Sequence, residues 1–251
     1  MKKISLLLLV IVLITSCDKE NVSDCLQTSG TLITQEFEVP LFTEIHFEDE
    51  ISVILTQSSE QKVVVETGEN LLNDIQIYVE DERLIMRDLN DCNIGREYGI
   101  TKIYINAPNL TKIRNSSTGS ITSVGVLEYP ELFLVSNTTA GAFYPQKSGD
   151  FILNVSCDNF VISANGLSIF YMSGYAKKSN IIFSDEWPRF EGENFMIDTL
   201  NVLHRSATYM KVNPQLMLTG KIVATGDLIA VHHPEIVDVD ELFTGRLIFE
   251  D

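Results

Sequence analysis

Basic residues are scarce: 18 Lys and Arg stand against 35 Asp and Glu over 251 residues, a formal charge of −17. Holding a phosphate backbone needs Lys and Arg to displace counterions, so no nucleic-acid partner is expected, nor docking on anionic lipid through a basic face. Only four cysteines occur, none at CxxC spacing, which argues against a structural zinc site built from them. There is no GxSxG, HExxH, P-loop or GxGxxG pattern. There is also no stretch of twelve residues with helical apolar spacing, and no apolar run of the roughly 20 residues a membrane-spanning helix needs. What is present is 45% hydrophobic and 21% charged residues, a globular composition able to bury a core.

The first sixteen residues have the pattern of an export signal. Lys2 and Lys3 precede an apolar run from Leu6 to Leu13, followed by Ile14-Thr15-Ser16-Cys17. This ending resembles the bacterial lipobox, which implies that Cys17 becomes the lipidated first residue of a lipoprotein anchored to the outer membrane. Each buried methylene of the acyl chains adds about 0.8 kcal/mol, so a multiply acylated cysteine anchors stably. Residues 17–30 read as the lipidated Cys and a polar tether, with Asp18, Glu20 and Asp24 near its start. That tether resembles the acidic segments that send some lipoproteins to the cell surface, and it also fits an ordinary solvated linker, so periplasmic and surface-exposed locations both remain open. In an oxidising compartment the remaining cysteines are Cys25, Cys92 and Cys157. Cys25 with Cys92 is the expected disulfide, because Cys157 lies in an apolar strand (Leu153, Val155, Val161) where a thiol acts as a small hydrophobe.

From Thr31 onward, short β-branched runs alternate with polar clusters, as in Ile51-Ser52-Val53-Ile54-Leu55, Val63-Val64-Val65 and Ile103-Tyr104-Ile105. Period-two alternation of this kind predicts an all-β protein. The best helical candidate is one turn within Gly68 to Ile75, capped by Asn70 and carrying Leu71 and Leu72. After about residue 110 a small-residue cluster recurs, at Ser116 to Gly119, Asn137 to Gly141, Ser163 to Gly166, Ser206 to Thr208, Ala224 to Gly226 and Thr244-Gly245, with Ser184 to Glu186 as a degenerate copy. A period of roughly 21 residues predicts a right-handed parallel β-helix-like solenoid with coils of about 20 residues, spanning residues 31–251. The alternative is a β-sandwich with Gly-rich turns. In the solenoid, Ile121, Phe143, Ile169, Met210, Leu228 and Leu247 should face inward, and Asn90 to Gly99 is the expected long loop.

The segment order Phe42-x-x-Ile45, Ile51 to Leu55, Val63 to Glu66, Leu84-Ile85-Met86, and Ile103-x-Ile105-x-Ala107-Pro108-x-Leu110-x-x-Ile113, followed by Ser/Thr-Gly clusters, resembles the family called putative auto-transporter adhesin, head GIN domain. The resemblance covers residues 35 to 250. The family's small-residue repeat is clearest at Thr225-Gly226-Asp227-Leu228 and eroded elsewhere, with no glycine near Ser206. What the resemblance implies is a β-solenoid on an exported lipoprotein with an adhesin role and no established catalysis; it does not specify a ligand.

The segment expected to touch a ligand is Asp185, Glu186, Trp187 and Phe190, with Glu191 and Glu193 close behind. A tryptophan face complements the apolar side of a pyranose, and two carboxylates at suitable spacing are what glycoside hydrolysis needs. His232 and His233 precede Pro234 and the acidic run from Glu235 to Glu241, yet adjacent strand residues face opposite ways, so solvated turn residues are expected there rather than metal ligands. The acidic loops Glu48 to Glu50 and Asp81-Glu82 lack the spacing of a calcium loop. No catalytic residue, metal or cofactor is expected. The favoured role is a non-catalytic envelope module that presents a strand face to glycan, host-protein or envelope ligands; the alternative is a β-helix-type carbohydrate-active enzyme.

Overall fold

The computed structural model describes residue 25 and residues 27–90, 92–138 and 146–250. The export signal, Cys17, most of the tether, Phe143 and Asp251 lie outside the described residues. Among the described residues, seventeen strands join one sheet. The first nine are β1 (Leu32–Phe37), β2 (Glu44–Asp49), β3 (Ser52–Gln57), β4 (Lys62–Gly68), β5 (Ile75–Glu80), β6 (Arg83–Asp88), β7 (Lys102–Ala107), β8 (Lys112–Ser117) and β9 (Ile121–Glu128). They are followed by β10 (Glu131–Ser136), β11 (Phe151–Ala164), β12 (Ile169–Phe183), β13 (Arg189–His204), β14 (Met210–Ile222), β15 (Leu228–Ala230), β16 (Ile236–Glu241) and β17 (Leu247–Phe249). The protein is therefore all-β, and the sheet curves nearly closed into a barrel-like shape. It is mixed rather than wholly parallel: β1–β4, β4–β7 and β5–β6 pair antiparallel.

Two runs of strands converge on the long strands. One passes through β1, β4, β7, β3 and β9 to the N-terminal half of β11. The other passes through β5, β6, β2, β8 and β10 to its C-terminal half. Strands β11 to β14 serve both runs, which end at β17 and β16 respectively.

The parallel register places apolar residues directly over one another. Ile103, Val53, Ile121, Phe151, Phe170, Phe190, Met210, Leu228 and Leu247 form one ladder. Ile45, Ile113, Leu134, Ile162, Ile181 and Val202 form another. Every member is buried except Leu247, which packs partly exposed against the core. No single strand can bury this face alone, and each side chain so buried contributes about 1.5–3 kcal/mol. Phe151 and Phe170 stack with centroids 4.6 Å apart. Ile169 is not the inward residue expected from the small-residue spacing: it is half-buried and pairs with Arg189, and Phe170 takes the core position. On a strand a displacement of one residue reverses the face.

Among the described residues, the recurrent Ser/Thr-Gly clusters are corners where successive passes of the backbone approach closely; Thr139 to Gly141 lie outside the described residues. Ser117 Oγ lies 3.0 Å from the Asp49 carbonyl and 2.8 Å from that of Ile51, while Ser206 and Thr208 hydroxyls lie 2.8 and 2.7 Å from the Pro188 carbonyl. Small hydroxyl residues thus satisfy carbonyls that leave the ladder. A Cβ on Gly226 would fall 1.8 Å from the Thr208 carbonyl oxygen, a contact no backbone shift accommodates cheaply. Gly226→Ala is therefore expected to cost about 1–3 kcal/mol in a urea melt, whereas Ala at the open Gly95 should have a much smaller effect.

Between β4 and β5 the expected helical turn is a three-residue 3-10 turn, Leu72–Asp74, flanked by Leu71 instead of being capped by Asn70. The Asn70 amide is engaged elsewhere, donating to the Thr28 carbonyl at 3.0 Å. Cys25 and Cys92 form a disulfide across 67 residues, tying the start of the described chain to the loop after β6. Arg96 reinforces that junction from the loop, donating to the Gln27 carbonyl at 3.5 Å and to the Asn90 carbonyl at 3.1 Å. Closing a loop of this length restricts the unfolded chain by roughly 4 kcal/mol in the loop-entropy account. The Cys25→Ser/Cys92→Ser double variant should accordingly lose about 2–4 kcal/mol of stability, measured by denaturant midpoint against reduced and oxidised wild type. Cys157 is buried, and burial, with Asp158 adding to it, pushes its thiol up to about 12.

Candidate functional site

On the outer face of the long strands two interruptions of register lie near each other. Between Ile152 and Asn154 of β11, β9 spends extra residues around Ser123 to Val126, with Gly125 at φ 76°. Between Tyr171 and Ser173 of β12, β13 carries an extra residue, and it spends three more against β14 before Met196. Bulges bend a strand and re-aim its side chains. Here they flank a trough of about 300 Å³ whose lining includes Ser123, Ile152, Asn154, Tyr171, Glu191 and Asn194. Ile152 is 43% and Tyr171 39% exposed, which leaves an aliphatic and an aromatic surface open to solvent.

One wall is held by a network of charge and hydroxyl groups. Arg189 Nε lies 2.9 Å from Glu191 Oε1, the Tyr209 hydroxyl donates to the same oxygen, and the Arg189 guanidinium sits 5.5 Å from the Tyr209 ring centroid. The bond to Glu191 holds the Tyr209 hydroxyl above its ordinary pKa. The Glu191 carboxylate is thus committed to two partners. Glu193, also lining the trough, is exposed.

The expected contact residues are distributed differently. Trp187 is 57% exposed at the corner before β13, four residues ahead of Glu191 and outside the lining of the trough. Glu186 pairs with Lys147, and Asp185 accepts the Glu186 backbone N–H. Phe190 is a correction: it is fully buried in the inner ladder, facing away from Tyr171 and Glu191, and offers no ligand surface. The sequence did not single out Tyr171, Tyr209, Asn154 or Ser123, whose proximity depends on parallel pairing. The available signal was the spacing of about twenty residues that sets Ile152, Tyr171 and Glu191 in register.

Two histidines, His46 and His204, are buried away from the trough. His46 Nε2 lies 3.1 Å from Ser116 Oγ and 3.3 Å from Glu48 Oε1, with Arg87 Nε 3.1 Å from the other Glu48 oxygen. One ring nitrogen faces both groups, so a proton cannot be relayed from serine through the ring to the carboxylate, and Ser116 is inaccessible. Burial first, then Arg114, Arg83, Lys112 and Arg87, pushes His46 down to about 3. Burial raises Glu48 against the pull of Arg87. His204 sits in the core beside Phe183, its ring nitrogens without a well-formed hydrogen bond, and burial lowers it to about 4. His233 instead packs on the Phe249 ring at 4.2 Å. The acidic loops are turns, with Asp49, Asp81 and Glu82 at positive φ. Among the described residues no group of three His, Cys, Asp or Glu could hold a metal ion.

A family model described as putative auto-transporter adhesin, head GIN domain, matches residues 41–234. Among solved structures, one described as a putative adhesin from Bacteroides fragilis superposes with a TM-score of 0.78 at 16% identity, covering 89% of this chain and 99% of that one. A putative adhesin from Parabacteroides distasonis gives 0.61 at 13% identity, with 89% and 99% coverage. A putative lipid binding protein from the same species gives 0.58 at 16%, with 87% and 97% coverage. At these identities the likeness is one of fold. No curated protein matches the chain.

Proposed function

The chain belongs to the putative auto-transporter adhesin, head GIN domain family, and on that premise we propose that it is a non-catalytic, adhesin-like envelope lipoprotein that binds glycan in the trough beside Tyr171. Cys17 anchors it to the outer membrane through lipid, and the strands form a β-helix-like solenoid with coils of about 20 residues. Register steps of 19 from Phe151 to Phe170 and 20 from Phe170 to Phe190 support that coil length.

The observation that carries the binding role is the trough itself: a solvent-open tyrosine and isoleucine beside amide and hydroxyl groups, held between two bulges. A sugar ring presents an apolar C–H face and equatorial hydroxyls, and this surface offers a partner to each. Ligand sites generally pair an apolar floor with a few placed polar groups. Hydrolysis is disfavoured because it needs a pair of available carboxylates, and of the two that line the trough Glu191 is engaged by Arg189 and Tyr209, which leaves Glu193 alone.

The test is a glycan array probed with the chain from residue 18 onward, which retains Cys25, run alongside reducing-sugar release from the same glycans. Saturable binding without release is expected, and Tyr171→Ala should weaken it about tenfold while Trp187→Ala leaves it nearly unchanged. Sugar release would overturn the non-catalytic reading, and an empty array would overturn the glycan reading.

A further inference from the structure

Resting on the glycan reading above, we infer that the trough selects saccharides bearing a protonated amine and rejects those bearing a carboxylate. The argument is a charge inventory of the rim. Arg189 is committed to Glu191, to the Tyr209 ring and to the Tyr171 hydroxyl. Lys211, beside Glu191 in register, is held by Glu250 at 2.8 Å. Both cations at the rim are therefore neutralised by the protein's own carboxylates. Glu193 is different: it lines the trough, it is exposed, and among the described residues no ion pair engages it. Lys211 also faces the Glu193 and Glu191 charges, so the rim sets two cations, Arg189 and Lys211, against three carboxylates, Glu191, Glu193 and Glu250, and carries one negative charge in excess.

An amino sugar fits this arrangement. Its ring C–H face lies on Tyr171 and Ile152, its hydroxyls meet the Asn154 and Asn194 amides, and its ammonium reaches the Glu193 carboxylate. A uronate or sialate would instead bring a second carboxylate toward Glu193 with no free cation to receive it, on a chain whose formal charge is −17. A solvent-exposed ion pair is modest in strength, so the expected preference is about fivefold and depends on salt.

The experiment titrates the purified full-length chain in detergent, at pH 6 and low ionic strength, with three hexasaccharides: glucosamine, N-acetylglucosamine and galacturonate. Glucosamine should bind about fivefold tighter than its acetylated counterpart, and galacturonate most weakly. The preference should vanish in Glu193→Gln and at 0.5 M salt. Galacturonate binding as tightly as glucosamine would overturn the inference, as would a preference that survives Glu193→Gln. So would failure of the glucosamine hexamer when array glycans do bind, a result that leaves the glycan reading intact; silence from every glycan overturns both.

Discussion

Acidification from pH 7 to pH 4.5 is expected to cost the fold about 4–5 kcal/mol, and His204→Leu is expected to remove about half of that loss. Both buried histidines have folded-state pKa values below the ordinary 6.5, about 3 for His46 and about 4 for His204. The unfolded chain therefore binds protons that the folded chain refuses. The stability this represents is fully present above pH 6.5 and is lost as the pH falls toward those lower values. At pH 4.5 each histidine accounts for about 2–3 kcal/mol. Glu48 and Asp150 act in the opposite sense, because burial raises them and the folded chain protonates them more readily, which offsets part of the loss. Urea midpoints at the two pH values, for wild type and His204→Leu, measure the difference. Leucine suits the register, since His204 lies between Phe183 and Ile222, and it gives up only the ring's contacts with the backbone of Asp227, Thr208 and Gly226. Equal pH dependence in the two proteins would refute the assignment.

Phe170→Ala should be more damaging than any exposed substitution, at about 3–5 kcal/mol. Phe170 is fully buried, stacks on Phe151, and tilts against Phe183 at 5.9 Å, so its loss opens a cavity that both rings line. The neighbouring Ile169→Ala supplies the control: half-buried and on the other face, it should cost about 1 kcal/mol. Chemical denaturation of the pair separates the two faces of β12 directly. Comparable losses at both positions would contradict the observed register.

The all-β class was legible because β-branched alternation survives in nearly every segment, and the corners were legible because close backbone approach admits only small residues there. The parity of individual residues was harder to read. Ile169 and Phe170 are both apolar, and only pairing with Arg189 and Phe190 decides which faces inward. The short antiparallel pairs among β1, β4, β5, β6 and β7 look like any other alternating segment, so nothing local distinguishes them from parallel strands. Burial of the charged set His46, Glu48 and Arg114 was hidden for a similar reason: each reads as a solvated residue until its neighbours are known. At the site, Glu191 and Glu193 were in view while Tyr171, twenty residues earlier, was not. The trough exists because two bulges displace their strands, and a bulge leaves little trace in sequence beyond an occasional glycine such as Gly125.

The register of the long strands also constrains how such a chain can change length. A duplication of residues 170–189 would set a second phenylalanine above the first and return the chain to Phe190 in phase, so every inward residue downstream would keep its orientation. Loss of a single residue within β13 would instead turn the remainder of that strand inside out, exposing Leu200 and Val202 and burying their polar neighbours. Viable length variants of this chain should therefore come in whole steps of about twenty residues, with smaller insertions confined to corners and bulges, so that the strand-face surfaces diversify while the ladder beneath them stays in phase.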